Sequence, residues 1–239
     1  MLARSAQRIR ERLSDSDVVL DIGGWADPFP RADWVMDVMP YESRGLYERQ
    51  GWIDPRTREP ERFDASGWIQ RDVCDREPFP FAEGEIDFVI CAHTLEDVRD
   101  PVWVCAEMTR IARAGYVEVP SRLEEQSYGF AGPIVGWSHH HWLVDVGESS
   151  IEFVFKPHDI HTRPESHFPA GYQQRLTPEE RVQTLWWEGG FSCRERVFIE
   201  TSVHDEYLPD FVAQGLRERP PPPPTGRRGV RDRLRRPRS

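Results

Sequence analysis

Short apolar runs alternate with charged or turn-rich stretches along the first half of the chain. Val18-Val19-Leu20 and Ile22 make a run too short for a helix, with polar residues before it and Gly23-Gly24 after it, as expected of a buried strand. A second run, Trp34-Val35-Met36, ends on Asp37, and a third, residues 68–73, finishes near Asp72. Ile86 to Ala92 is the most strand-like stretch, and His93 stands at its carboxyl end. A helix is predicted from an Asp100 cap, with Pro101 in its first turn and Trp103, Val104, Met108 and Ile111 at helical spacing. Residues 116–120 give a fifth strand, and residues 3–13 an amphipathic leading helix. Residues 41–68 read as loops around one short helix near 43–49. Strands alternating with helices in this way imply an α/β fold with a mostly parallel central sheet flanked by helices.

Beyond Pro120 the rhythm changes. A Gly-rich region spans 129–136, a Trp-bracketed cluster follows at 137–142, and residues 150–155 form another strand, which together predict a β-rich C-terminal insertion. Thr177-Pro178-Glu179-Glu180 carries helix-start residues and predicts a helix to Trp187, followed by a last strand over 191–201. From residue 217 the five consecutive prolines and the Arg-rich end cannot build a core and read as a disordered tail. The organisation expected is a domain over 1–216, with a ligand-binding core at 15–120 and acceptor-side elements and closing strands at 121–216, then the tail at 217–239.

Charge sharpens this division. The net charge of −10 hides nine arginines against two acids in residues 217–239, so the body carries about −17. An acidic body argues against nucleic acid as a partner, because phosphate contacts need clustered cations on the domain itself. The four cysteines lack CxxC pairing and read as reduced thiols. No segment offers about 18 uninterrupted apolar residues, and the N-terminus lacks a signal-peptide block. A cytoplasmic protein without a transmembrane segment is the expectation. Lys156, one lysine against 30 arginines, reads as a compositional bias and not as chemistry.

Acids at 21, 37 and 72 and His93 all fall at strand ends, and hence along the one edge where open α/β sheets bind ligands. The G-x-G-x-x-G of a dinucleotide site and a Walker loop are both missing, so a ligand with a ribose and no phosphate fits better. His139, His140 and His141, with His158, His161 and His167 downstream, invite a metal reading. Adjacent residues on an extended segment point to alternate faces, however, and no H-E-x-x-H spacing is present, so no metal is expected.

With these residues in view, the chain resembles the class I S-adenosylmethionine-dependent methyltransferases, of the methyltransferase type 11-like group. FPFAEGEIDFVICAHTLEDVRDP, residues 79–101, carries the resemblance most strongly, and it extends over roughly 15–120. It implies a Rossmann-like class I methyltransferase fold and S-adenosyl-L-methionine as cofactor. Residue by residue, it assigns Asp21, Gly23 and Gly24 to the cofactor loop and Asp37 to the ribose hydroxyls. Asp72 with Val73 falls to the adenine, while Ala92 and His93 line the methionine end. Trp25 and Asp27 occupy positions where the family has its second and third glycines.

The resemblance further implies methyl transfer to a small-molecule or saccharide acceptor, at oxygen or nitrogen. A sulfonium is already activated, so such a protein mainly aligns the acceptor and removes a proton where needed. His93, His140 and His141 are the candidate bases. Trp25 in the glycine loop favours the alternative, a catalytically inactive S-adenosylmethionine-fold protein that binds or regulates.

Overall fold

The computed structural model describes residues 1–198 and 201–220. The chain opens with α1 (Ala3–Arg12), then β1 (Val19–Ile22), β2 (Trp34–Asp37), α2 (Leu46–Arg49), β3 (Trp68–Gln70) and β4 (Ile86–Ala92). It continues through α3 (Pro101–Ile111), β5 (Ala112–Pro120), α4 (Arg122–Glu125), β6 (Trp142–Val146) and β7 (Ser150–Phe155). β8 (Val182–Glu188), β9 (Ser192–Glu195) and α5 (Leu208–Glu218) complete it. The main sheet has the order β3-β2-β1-β4-β5-β8, parallel except for β8, which pairs antiparallel with β5. A smaller sheet joins β6, β7 and β9.

The central strands are continuous apolar runs because both of their faces are covered. On one face Leu20, Ile22, Met36, Val89 and Val117 pack with Val104, Met108 and Ile111 of α3 and with Trp142 and Phe153 of the smaller sheet. On the other, Val19, Val35, Phe88, Ile90 and Tyr116 pack with Ile9 of α1 and with Phe29 and Phe63. α3 begins as its sequence predicts, with the Asp100 side chain accepting from Trp103 N at 3.0 Å and Pro101 in the first turn.

Two expectations beyond Pro120 change. The helix predicted over 177–187 is a turn followed by β8. Thr177 and Glu180 do form the reciprocal side-chain bonds of a helix start, Thr177 N to Glu180 Oε2 at 2.8 Å and Glu180 N to Thr177 Oγ1 at 3.2 Å. They close only one turn, because the β-branched and aromatic residues that follow suit a strand. Leu185 and Trp187 enter the α3-side core, while Trp186 lies against Tyr116 on the other face, ring centroids 4.6 Å apart. The last strand is short, Ser192–Glu195, and residues 199–200 lie outside the description. α5 runs to Glu218, its Leu208 and Val212 buried. The rest of the expected tail, residues 221–239, lies outside the described residues. Among the described residues, no helix is long and apolar enough to cross a membrane.

Candidate active site

β1 to β5 are parallel, so their carboxyl ends share one edge, and the strand order reverses between β1 and β4. Such a reversal separates the loops that follow the two strands and opens a crevice. A cavity of about 870 Å³ lies there, lined by Gly23, Asp37, Asp72, Val73, His93 and Thr94, and by Glu96, Asp97 and the three histidines 139–141. The predicted residues Asp37, Asp72, Val73, Gly23, His93, His140 and His141 are thus brought to one space, whereas Asp21, Gly24 and Ala92 do not line it.

The first loop is shaped from behind. Asp21 is 4% exposed, accepts from Phe29 N at 2.8 Å, and is pushed up to about 7 by burial. Gly24 passes so close to it that a β-carbon there would overlap Asp21 Oδ2. Gly23 has φ +76°, and a β-carbon on it would overlap Thr94 Oγ1, so only glycine fits. Trp25 takes a family glycine's place by anchoring its ring elsewhere: Nε1 donates to Ser43 O at 2.8 Å. Trp25 N donates to Asp37 Oδ2 at 3.1 Å and Met39 N to Asp37 Oδ1 at 2.8 Å. Each Asp37 oxygen therefore has one backbone donor and spare acceptor capacity. Burial raises the Asp37 carboxyl above its ordinary value against those bonds. Asp72 is half-exposed, accepts from Cys74 N at 2.8 Å and pairs with Arg99.

Residues 54–117, which include β3, β4, α3 and most of β5, match the family model described as methyltransferase domain. Those residues are similar to a methyltransferase domain. Solved structures with partial likeness include a chain of the Haloferax volcanii complex with the Trm112 methyltransferase activator, at 16% identity and TM-score 0.35, covering 53% of this chain and 52% of that one. An S-adenosylmethionine-dependent methyltransferase from Aquifex aeolicus aligns at 14% identity and TM-score 0.33, covering 52% and 68%. The Bacillus halodurans C-125 protein BH2331 aligns at 13% identity and TM-score 0.38, covering 76% and 92%. The chain spans about half the length of the first of these. Among curated proteins no sequence match is found.

The far wall of the cavity is an ionic cluster that sequence reasoning largely missed. His93 sits at φ 54°, a left-handed conformation that costs a non-glycine residue about 1–3 kcal/mol. The turn is held by His93 N donating to Glu118 O at 2.8 Å and by Nε2 lying 3.0 Å from Glu118 Oε1. Glu118, wholly buried, also accepts from Leu2 N and from the Tyr116 hydroxyl, and the Met1 amino group lies 3.6 Å away. Burial works against the Glu118 charge, yet the His93 bond and these neighbours hold it down at about 2. Burial likewise opposes charge on His93, but the bond to Glu118 and the Glu96 carboxylate 3.7 Å away bring it up to about 9. These carboxylates favour the protonated form of His93.

Across from it, the His140 side chain is 7% exposed, with Nδ1 2.7 Å from Glu125 Oε2. Burial lowers its proton affinity, and the Glu125 bond more than restores it. Glu125 is also paired with Lys156 Nζ at 2.5 Å, and Lys156 donates to Trp137 O at 2.9 Å. The single lysine, read from sequence as bias, is a buried counter-ion where a compact point charge fits. Glu96 is 1% exposed and not the solvated turn residue its setting suggests. Glu118 had a visible signal, an acid inside the apolar run Tyr116–Val119. Glu125 and Lys156 had none, because their meeting depends on how β7 folds back on α4.

Proposed function

We propose that this methyltransferase domain binds S-adenosyl-L-methionine in the cavity and methylates a hydroxyl- or amine-bearing small molecule or saccharide. One observation carries the reading: a buried strand-end carboxylate, Asp37, faces the crevice beside the Gly23 turn with acceptor capacity to spare for two ribose hydroxyls. When bound, S-adenosylmethionine supplies a methyl group already activated on a sulfonium. Val73 and Asp72 stand where the adenine would lie, with Asp72 offering an acceptor to an amine. The cationic His93 suits a carboxylate at the methionine end. Asp21, Gly24 and Ala92 support the loop from behind it.

The acceptor enters opposite, along residues 137–141. His93 and His140 are both raised toward the charged form, which leaves His141, exposed and on the cavity wall, as the proton acceptor. Its role is to take the proton from the acceptor as the new bond to carbon forms. Three buried free cysteines fit a reducing compartment such as the cytoplasm. Methyl-labelled cofactor offered with a panel of small hydroxyl and amine compounds and glycans tests the reading. Transfer to at least one class is expected. Retained binding of cofactor without transfer to any of them would favour the non-catalytic binding protein.

A further inference from the structure

The wall opposite Asp37 holds three groups whose chemistry the methyl transfer does not use. One ligand atom from each of Asp97, His139 and His140 lies within 4.8 Å of the other two, and all three residues border the cavity. His140 Nε2 stands 3.7 Å from Asp97 Oδ1. Two ligands each about 2.1 Å from a shared ion at a tetrahedral angle stand about 3.4 Å apart, so a small adjustment closes the set. The expectation of no metal rested on adjacent histidines pointing to opposite faces. Residues 138–139 form a bend and not an extended strand, and the bend brings both rings to the same side.

Two independent features mark this as a built site. His140 Nδ1 is committed to Glu125, itself fixed by Lys156, which turns Nε2 toward Asp97. A histidine whose second nitrogen is held by a carboxylate is the usual outer support of a metal ligand. Asp97 Oδ1 is buried without a hydrogen-bond partner, and so are both carboxylate oxygens of Glu96, a residue 1% exposed and on the same cavity wall. Buried oxygens left so are few in native proteins; Glu96 has the His93 ring 3.7 Å away, whereas Asp97 Oδ1, beside the imidazoles of His139 and His140, has room for a cation.

We infer that Asp97, His139 and His140 bind a divalent first-row transition-metal ion whose open positions face the cavity. Glu96 supplies outer negative charge, and Glu125 orients His140. Imidazole donors favour such ions over magnesium. Three protein ligands leave room for one or two oxygens of the incoming molecule, and an ion there lowers the proton affinity of a bound hydroxyl. On the methyltransferase reading, which this second part rests on, the acceptor is thereby a hydroxyl compound with two neighbouring oxygens.

The test titrates the full chain, stripped by chelator, with Co²⁺ while visible absorption is followed. One equivalent of Co²⁺ should produce ligand-field bands that Zn²⁺ abolishes and Mg²⁺ does not. Acetohydroxamate, a bidentate oxygen ligand, should shift them. His139→Ala, whose ring is exposed and outside the core, should weaken Co²⁺ binding at least tenfold. No bands, or bands unaltered in His139→Ala, overturn the site, and bands insensitive to acetohydroxamate overturn its open positions. Calorimetry with S-adenosylhomocysteine on the same samples separates the two readings. Homocysteine-nucleoside binding without metal binding removes the metal site alone, and metal binding without it removes the methyltransferase reading alone.

Discussion

Two walls face each other across the cavity, and they are made in different ways. One is a row of strand ends: Gly23 after β1, Asp37 at the end of β2, Asp72 and Val73 after β3. The other is assembled from the β4–α3 loop, α4, the bend at 138–139 and the segment after β7, joined by ion pairs among Asp97, Glu125, His140 and Lys156, with Glu96 beside His93. The first wall inherits its geometry from a parallel sheet whose register is fixed by apolar packing on both faces. The second has no such template and depends on compensating charges, so it is costlier to disturb.

That contrast can be broken most severely at Glu125. Glu125→Ala would leave Lys156 buried with only the Trp137 carbonyl, and removing one partner of a buried pair costs about 3–5 kcal/mol. Urea unfolding should show a loss of that size, and a loss under about 1 kcal/mol would mean that the pair behaves as a surface contact. On the strand-end wall the expected effect is on affinity. Asp37→Ala removes two charge-assisted bonds to ribose, each worth about 1.5–3 kcal/mol, and should weaken S-adenosylhomocysteine binding by roughly 100-fold or more. Unchanged affinity in calorimetry would remove the ribose assignment.

A smaller effect is expected at Gly23. Alanine there must adopt φ +76° and displace Thr94, at a cost of about 1–3 kcal/mol, seen as a lower melting temperature. If Gly23→Ala melts like the parent chain, the loop is not built around that glycine.

The smallest effect is in the pH dependence of stability at His93 and Glu118, which face Glu96, Tyr116 and the Met1 amino group. The depressed Glu118 carboxyl stabilises the fold above its ordinary value of 4.5, and this is lost as pH falls toward about 2. The raised His93 stabilises it fully below 6.5, and this is lost as pH rises through about 9. The joint contribution is therefore largest between 4.5 and 6.5. Unfolding free energies across pH should fall on both sides of that window, less so in Glu118→Gln, and identical profiles would contradict the coupling.

The same contrast explains what was legible in the amino-acid sequence. β1, β2 and β4 announce themselves because strands buried on both faces need unbroken apolar runs, and a carboxylate ending such a run stands out. Asp37, Asp72 and His93 are therefore legible as neighbours on one sheet edge from the residue pattern alone. The helix expected at Thr177 failed because its start residues close one turn whichever element follows, and Val182 to Glu188 then pairs with β5. α5 went unread although Leu208, Phe211, Val212 and Gly215 repeat at helical spacing, since the prolines just beyond it mask the pattern. Nothing in the sequence marks Glu96 and Asp97 as buried, because burial of an acid depends on partners distant in sequence. The meeting of His140, Glu125 and Lys156 spans residues 125–156 and follows no short-range pattern.

The central claim is that the crevice at the carboxyl ends of β1 to β4 is a cofactor site, and isothermal titration of the full chain with S-adenosylmethionine and S-adenosylhomocysteine tests it without knowledge of the acceptor. Saturable one-to-one binding of both is expected, at micromolar concentrations. Absence of heat and of competition for either ligand would contradict it, and would mean that Trp25 has converted the glycine loop to another use.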